Sequence, residues 1–256
     1  MKQSVGFIGA GRITKILLKA FENKDAKFDK VVVTDPNNEV LTKLKTSFPY
    51  VRIENPSVTA GQDIVFISLH PPVIMDTLES IKSSFRKDAT VISLAPKINL
   101  DKLSSKLPQV KKIVRLIPNA TSFINEGFNP VCFTSGITGS DKKNILKLLK
   151  LCGKTFEVSE EKLESYAIMS AMLPTYFWFQ WNKLADIGQK IGLSEQESKD
   201  SINETIIASL NLLYKSGLKP GEVVDLIPVK PIGEHEPQIN EIYQSKLIGL
   251  FEKIKP

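Results

Sequence analysis

A glycine turn follows an apolar strand pattern at the start of this chain, and it constrains the fold more than any other segment. The stretch Val5–Ile8 is strand-like, and Gly9-Ala10-Gly11-Arg12-Ile13-Thr14 opens a helical pattern. In such a turn the first glycine permits a tight bend, and the second lets a pyrophosphate approach the backbone at a helix N-terminus. Thr14 stands where a third glycine is usual, so the motif is imperfect. We predict a dinucleotide site that uses Gly9, Ala10, Gly11, Arg12 and Ile13.

A second strand pattern, Val31–Thr34, ends at Asp35, near the distance at which an acidic residue meets the adenosine ribose. A carboxylate there accepts hydrogen bonds from the ribose hydroxyls of NAD and repels the 2′-phosphate of NADP. Arg12 opposes this discrimination against NADP, because its guanidinium could reach the pyrophosphate or the 2′-phosphate. We expect NAD or NADP as cofactor, with NADH preferred. In the alternative, Asp35 only caps the following turn and both cofactors bind equally.

Strand and helix patterns alternate as far as residue 158, which is typical of a doubly wound sheet. The apolar run at 63–69 indicates a central parallel strand that is buried on both faces. From residue 160 onward no strand-like segment remains, and long helical patterns follow, one of them from a capping box at Ser194 to Gly217. We predict an α/β protein with a Rossmann dinucleotide-binding domain over residues 1–158 and an all-helical domain over 159–256.

Composition excludes several classes of function. The chain has 256 residues, of which 42% are hydrophobic and 24% charged, as in an ordinary globular enzyme. Its net charge of +6 is spread along the chain, so we expect no nucleic-acid partner. No apolar run reaches the roughly 18 residues of a membrane span, and the N-terminus does not look like a signal peptide. We expect no membrane association, a cytoplasmic location, and Cys132 and Cys152 as reduced apolar fillers.

Several segments resemble the pyrroline-5-carboxylate reductase family in order and spacing. Gly6-Phe7-Ile8-Gly9-Ala10-Gly11 is similar to that family's opening, and Leu69-His70-Pro71 sits where it has Val-Lys-Pro. The segment 114–119 resembles its Arg-x-Met-Pro-Asn, and Pro174-Thr175-Tyr176 falls at its Pro-Ala-Tyr. The resemblance implies a Rossmann domain, a helical domain for dimerisation and substrate binding, and an intertwined homodimer. It also implies cofactor contacts from Leu69, His70 and Pro71, although His70 could merely cap its loop.

This sequence differs from that family's pattern in the segments with which the family binds substrate. Its Ser-Gly-Ser-Gly turn is here Ser170-Ala171-Met172-Leu173, and its Ser-Pro-Gly-Gly-Thr-Thr loop is replaced by residues 229–234. Glu234 would repel a substrate carboxylate unless Lys230 compensates. We assign substrate binding to Ser170 and Lys230, and we predict a small imine or carbonyl substrate rather than pyrroline-5-carboxylate in particular.

Hydride transfer to a protonated imine needs no catalytic acid, so the protein mainly aligns the two reactants. A carbonyl substrate needs a proton donor. Tyr176, Gln180 and Lys183 share one helix face, so Tyr176 and Lys183 are candidate catalytic groups. In the alternative, Tyr176 is a half-buried interface aromatic and Lys183 a solvated charge. Asn119 could orient the nicotinamide or the substrate, or else be a turn asparagine.

Two classes of function follow from these features. The first is a nicotinamide-dependent oxidoreductase that transfers hydride to a small-molecule substrate. The second is a catalytically inactive nucleotide-binding sensor or partner protein of the same fold. The pattern at 160–191 is apolar nearly all round, which favours a homodimer. His235 lies between two glutamates, but adjacent residues cannot converge on one ion, and we predict no metal site.

Overall fold

The computed structural model describes residues 3–137 and 139–256. In it the chain forms two compact units, one of residues up to Ala171 together with Leu250–Pro256, and one of Met172–Gly249. We call them the sheet unit and the helical unit.

Eight strands form one sheet in the sheet unit. They are β1 (Val5–Ile8), β2 (Val31–Thr34), β3 (Arg52–Ile53), β4 (Ile64–Ile67), β5 (Thr90–Ser93), β6 (Lys112–Leu116), β7 (Gly127–Phe133) and β8 (Gly153–Glu157). Their spatial order is β3-β2-β1-β4-β5-β6-β7-β8. The first six run parallel, and β7 pairs with β6 antiparallel and with β8 parallel. The order reverses between β1 and β4, which is where open α/β sheets bind ligands.

Helices cover both faces of this sheet. They are α1 (Arg12–Asn23), α2 (Asn38–Ser47), α3 (Pro56–Ala60), α4 (Pro71–Ile81), α5 (Leu100–Lys106), α6 (Gly139–Leu149) and α7 (Leu163–Tyr166). One core lies under α1, α2 and α6, and a second lies under α4, α5 and α7. The Rossmann architecture predicted from the alternating pattern is confirmed, because each crossover helix buries an apolar stripe on strands that are themselves buried.

The segment 159–171, which the sequence pattern placed in the helical domain, packs on the sheet. Leu163 and Ala167 are buried in the second core, so the compact sheet unit extends to Ala171. One turn of π-helix, Ala167–Ala171, ends this segment. The roles expected for the two domains, dinucleotide binding and dimerisation, stay predictions.

An aspartate, Asp63, lies immediately before the amino end of β4. Asp63 accepts hydrogen bonds at Oδ2 from the backbone N–H of Ser4 (2.8 Å) and from its Oγ (2.9 Å), and at Oδ1 from Arg86 (2.7 Å). Burial opposes ionisation of Asp63, but these bonds and the charge of Arg86 outweigh it and hold the pKa of Asp63 below its ordinary value.

The helical unit contains α8 (Leu173–Lys190), α9 (Glu195–Lys215), α10 (Pro220–Asp225) and most of α11 (Glu236–Ile254). The predicted capping box opens α9: the Ser194 hydroxyl accepts from the Glu197 N–H (3.2 Å), and the Glu197 carboxylate accepts from the Ser194 N–H (2.8 Å). Many large apolar side chains are exposed on this unit, among them Phe179 at 66% and Ile191 at 76%. Among the described residues, no helix is both long and apolar enough to cross a membrane.

Candidate functional site

A cavity of about 840 Å³ opens in the sheet unit, at the carboxyl ends of β1, β4 and β5. It therefore lies at the reversal of the strand order. Its lining includes seven of the residues expected to bind cofactor, namely Ala10, Gly11, Arg12, Ile13, Leu69, His70 and Pro71. Three cations, Arg12, Lys15 and Lys43, also line it. The cavity is large enough for an extended ligand and is suited to an anionic one.

The two glycines of the turn have different surroundings. Gly9 has φ +106°, and a Cβ there would lie 2.5 Å from the carbonyl oxygen of Ser68, so only glycine fits. A Cβ on Gly11, the residue that caps α1, would meet nothing within 4 Å. The first backbone N–H groups of α1 have no partner within the helix, because no turn precedes them. The space beside Gly11 is thus open for an anion at a helix N-terminus.

Thr14 does more than fill the place of a third glycine. It is fully buried, and its Oγ1 donates a hydrogen bond of 2.6 Å to the carbonyl oxygen of Gly9. This bond ties the first turn of α1 to the bend that precedes it. The sequence motif marked the position as a departure but did not indicate the bond.

Asp35 lies at the end of β2, with both carboxylate oxygens engaged. Oδ2 accepts from the backbone N–H of Ala10 (2.8 Å), and Oδ1 accepts from that of Asn37 (2.9 Å). The second bond is the turn cap that the alternative expected, and the first fixes the carboxylate beside the glycine turn. Each oxygen keeps lone-pair capacity for a further donor. The residues described as lining the cavity do not include Asp35.

His70 precedes α4 as its N-cap residue, with Pro71 at the first helical position. Its side chain is exposed and lines the cavity. The loop after β4 therefore presents an imidazole to the cavity.

Asn119 and Ser170 are buried and bonded to each other. The Asn119 amide donates to the backbone carbonyl of Ser170 (2.8 Å), and its oxygen accepts from the Thr121 N–H (2.9 Å). The Ser170 hydroxyl donates to the carbonyl of Tyr166 (2.7 Å). The structure gives Asn119 the turn role that the sequence left as an alternative, and direct contacts of either residue with a ligand stay predictions.

Tyr176, Lys183 and Lys230 all lie in the helical unit. Tyr176 is partly buried, and burial raises the pKa of its phenol above the ordinary value. Gln180 donates to the carbonyl of Tyr176 (2.6 Å) and to the hydroxyl of Tyr243 (3.3 Å). Lys183 and Lys230 are exposed.

Sequence reasoning missed a charged cluster beneath the cavity wall. Arg115 is fully buried on β6; its Nη1 donates to Glu160 (2.8 Å), and its Nη2 pairs with Glu164. The same two carboxylates accept backbone N–H groups from the loop after β5, Glu164 from Lys97 (3.1 Å) and Glu160 from Leu100 (2.7 Å). The sequence does contain a signal for this cluster. It is an arginine within an apolar strand, followed later in the chain by two glutamates one helical turn apart.

Comparisons with known proteins agree with this geometry. The family model described as NADP oxidoreductase, coenzyme F420-dependent, matches residues 4–97. Pyrroline-5-carboxylate reductase of Escherichia coli is 24% identical over 229 residues, which are 89% of this chain and 85% of that protein. Pyrroline-5-carboxylate reductase 3 of Xenopus laevis is 26% identical over 86% of this chain and 80% of its own.

A solved structure shows the same fold over nearly the full length. The pyrroline carboxylate reductase of Plasmodium falciparum, crystallised with NADP bound, superimposes with a TM-score of 0.80 at 23% identity and covers 98% of this chain and 95% of its own. The comparisons confirm the resemblance expected from the sequence, together with the Rossmann and helical architecture.

Proposed function

We propose that the chain is an NAD(P)-dependent oxidoreductase similar to pyrroline-5-carboxylate reductases, and that it transfers hydride from a reduced nicotinamide to the carbon of a small imine or carbonyl substrate. The observation that carries the proposal is the cavity at the strand reversal, with open space beside Gly11 at the start of α1. A nicotinamide cofactor supplies the hydride when bound, and the protein binds and orients the two reactants.

The proposed roles follow from charge and position. The backbone from Gly9 to Ile13 holds the pyrophosphate, and the loop of Leu69, His70 and Pro71 contacts ribose or phosphate. The Tyr176 phenol is the proton donor that a carbonyl substrate requires, with Lys183 as an alternative donor on the same helix. The support for this role is the position of Tyr176, on the same helix face as Gln180 and Lys183, together with a hydroxyl that can donate a proton. An imine substrate needs no such step.

Asn119, Ser170 and Lys230 are the other residues to which we assign roles. Asn119 holds the backbone of Ser170, so both would shape the substrate end through the turn that they build. Lys230 supplies a positive charge for an anionic substrate group. Glu234 lies in the same loop and would repel a substrate carboxylate unless Lys230 compensates.

For the cofactor we propose a preference for NADH. The carboxylate of Asp35 is fixed by two backbone N–H groups, and its negative charge would face a 2′-phosphate. Arg12 and Lys43 attract the phosphates of either cofactor and reduce the difference. We expect NADH to bind more tightly by roughly 1 to 3 kcal/mol.

Calorimetric dissociation constants for NADH and NADPH test this preference. In Asp35→Ser we expect NADPH to gain affinity, whereas Asp29→Ser, an exposed aspartate before the amino end of the same strand, should change neither constant. Tighter binding of NADPH by the native protein, or no gain in Asp35→Ser, would refute the assignment.

We also propose a homodimer in the cytoplasm, formed through the helical unit. The exposed apolar side chains of α8 and α9, such as Trp178 and Ile207, support it, because a monomer would leave them in water. Light scattering at micromolar concentration should report twice the chain mass; a monomer would contradict the proposal.

The activity itself is tested by a substrate panel. Purified protein with NADH or NADPH is mixed with cyclic imines, pyrroline-5-carboxylate and short keto acids, and loss of absorbance from the reduced cofactor is followed. Tyr176→Phe should slow carbonyl reduction and spare imine reduction.

The replaced loop at 229–234 keeps a second function open, an inactive nucleotide-binding sensor. Cofactor binding without turnover of any substrate in the panel would favour the sensor. Absence of cofactor binding would refute both functions.

A further inference from the structure

The loop between β5 and α5 forms one wall of the cavity and contains a strained residue. Leu94, Ala95 and Pro96 line the cavity, and Lys97 follows them with φ +75°. A residue with a Cβ rarely adopts this left-handed conformation, because its side chain crowds the backbone. Something outside the loop must therefore hold Lys97 in place.

Two carboxylates hold the far side of this loop. Glu164 accepts the backbone N–H of Lys97, the strained residue itself, and Glu160 accepts that of Leu100 at the start of α5. Both carboxylates are in turn paired with Arg115 from the neighbouring strand. The loop is thus fixed at two backbone groups by side chains that one guanidinium orients.

The burial of this cluster indicates that it serves to fix the conformation of the loop. Arg115 is 0% exposed and Glu164 is 2% exposed. Removing charged groups from water costs about as much as their pairing returns, so apolar side chains would stabilise the unit equally well. What apolar side chains cannot do is accept the N–H of Lys97. The cluster therefore fits a requirement for one loop conformation better than a requirement for stability.

We propose that Glu164, oriented by Arg115 and assisted by Glu160, is a positioning residue for the cofactor site: it holds Lys97 in its left-handed conformation and so sets the cavity wall at residues 94–96. The proposal rests on the proposed function only in taking this cavity as the cofactor site. Glu164 touches neither cofactor nor substrate in this scheme, and it acts through the loop backbone.

Glu164→Ala and the double variant Glu164→Ala/Lys97→Gly test the proposal. Without the carboxylate, Lys97 leaves the left-handed region, and the affinity for NADH falls about tenfold, the factor that corresponds to the usual cost of a left-handed residue. Glycine adopts φ +75° without that cost, so the double variant should recover most of the affinity. Lys97→Gly alone should bind as the native protein does.

Glu157→Ala is the matched control. It removes a carboxylate that is also ion-paired, with Lys142, but on the exposed end of β8. We expect its affinity for NADH to be unchanged. If Glu164→Ala does not fold, Glu164→Gln takes its place, with the same directions of change and smaller sizes, because the amide oxygen still accepts the N–H but pairs weakly with Arg115.

Hydrogen exchange of residues 94–100 supplies a readout that needs no cofactor, with residues 5–8 as an internal reference. Exchange in 94–100 should rise in Glu164→Ala relative to the reference and stay unchanged in Glu157→Ala. If a folded Glu164→Ala keeps native exchange and native affinity, or if the double variant Glu164→Ala/Lys97→Gly binds NADH no more tightly than Glu164→Ala, the positioning role is wrong. If the native protein binds neither NADH nor NADPH, the proposed function fails, and loop exchange still decides the role of Glu164.

Discussion

Replacing Thr14 by valine isolates the hydroxyl group that stands in the place of the third motif glycine. The side chain is fully buried, and its Oγ1 bonds the carbonyl of Gly9 at 2.6 Å. Valine keeps the shape and removes the donor. A hydrogen bond contributes about 0.5–1.5 kcal/mol, and a buried acceptor left without a partner costs up to about 3 kcal/mol. We expect Thr14→Val to lower the unfolding free energy of the sheet unit by about 1–3 kcal/mol.

Thr14→Gly restores the motif and should nevertheless be worse. It loses the same bond, the buried methyl group at about 0.8 kcal/mol and about 0.3 kcal/mol of helix propensity, the difference between threonine and glycine. The expected loss is about 2–4 kcal/mol. Thr42→Val is the matched control, because Thr42 donates to the carbonyl of Asn38 (2.8 Å) in the same way on an exposed helix face. Its effect should stay within about 0.5 kcal/mol.

The assay must follow the sheet unit. Both tryptophans, Trp178 and Trp181, lie in the helical unit, so intrinsic fluorescence would report on the wrong part of the chain. Native-state hydrogen exchange of β1 and β2 over a urea series gives the free energy of opening where Thr14 acts. Equal effects of Thr14→Val and Thr42→Val, or a Thr14→Gly variant more stable than the native protein, would refute the reasoning.

Three further outcomes are expected. Gly9→Ala should destabilise the sheet unit, since its Cβ would meet a backbone carbonyl at 2.5 Å, whereas Gly11→Ala should fold normally and lose affinity for NADH by calorimetry. Burial raises the pKa of Cys132 and Cys152 to about 12, so iodoacetamide at pH 8 should label neither in the native protein and both after unfolding; labelling of the native protein would contradict this. The lowered pKa of Asp63 means that its contribution to stability is present above the ordinary aspartate pKa and is lost as pH falls through the lower, folded-state pKa. Asp63→Asn should therefore flatten the acid side of the stability profile, and an unchanged profile would argue against this role.

Local pattern was enough to predict much of the sheet unit. Glycine spacing and apolar runs located β1, β2 and β4, since a buried parallel strand and the turn after it are encoded in consecutive residues. The capping box at Ser194 was readable for the same reason.

Local sequence pattern could not predict contacts between residues that are far apart in the chain. The bond from Ala10 to Asp35 exists only because β1 and β2 lie side by side, and the pairing of Arg115 with Glu164 joins residues 49 positions apart. Helical periodicity at 160–171 was visible, but periodicity does not say which surface a helix will cover. Hence the compact sheet unit reaches further along the chain than the change of pattern indicated.

The bond between Glu164 and Lys97 has a consequence for how this protein is made. The residues that line the cavity lie between Ala10 and Pro96, so all of them leave the ribosome before Glu164, which follows Lys97 by 67 positions, has been translated. The residues that line the cavity are therefore synthesised before the residue that holds Lys97. A fragment of residues 4–97 placed in another protein would contain every residue described as lining the cavity, but it would lack Glu164, which accepts the N–H of Lys97. On the proposed role of Glu164, a fragment that keeps the loop conformation must extend to the end of α7.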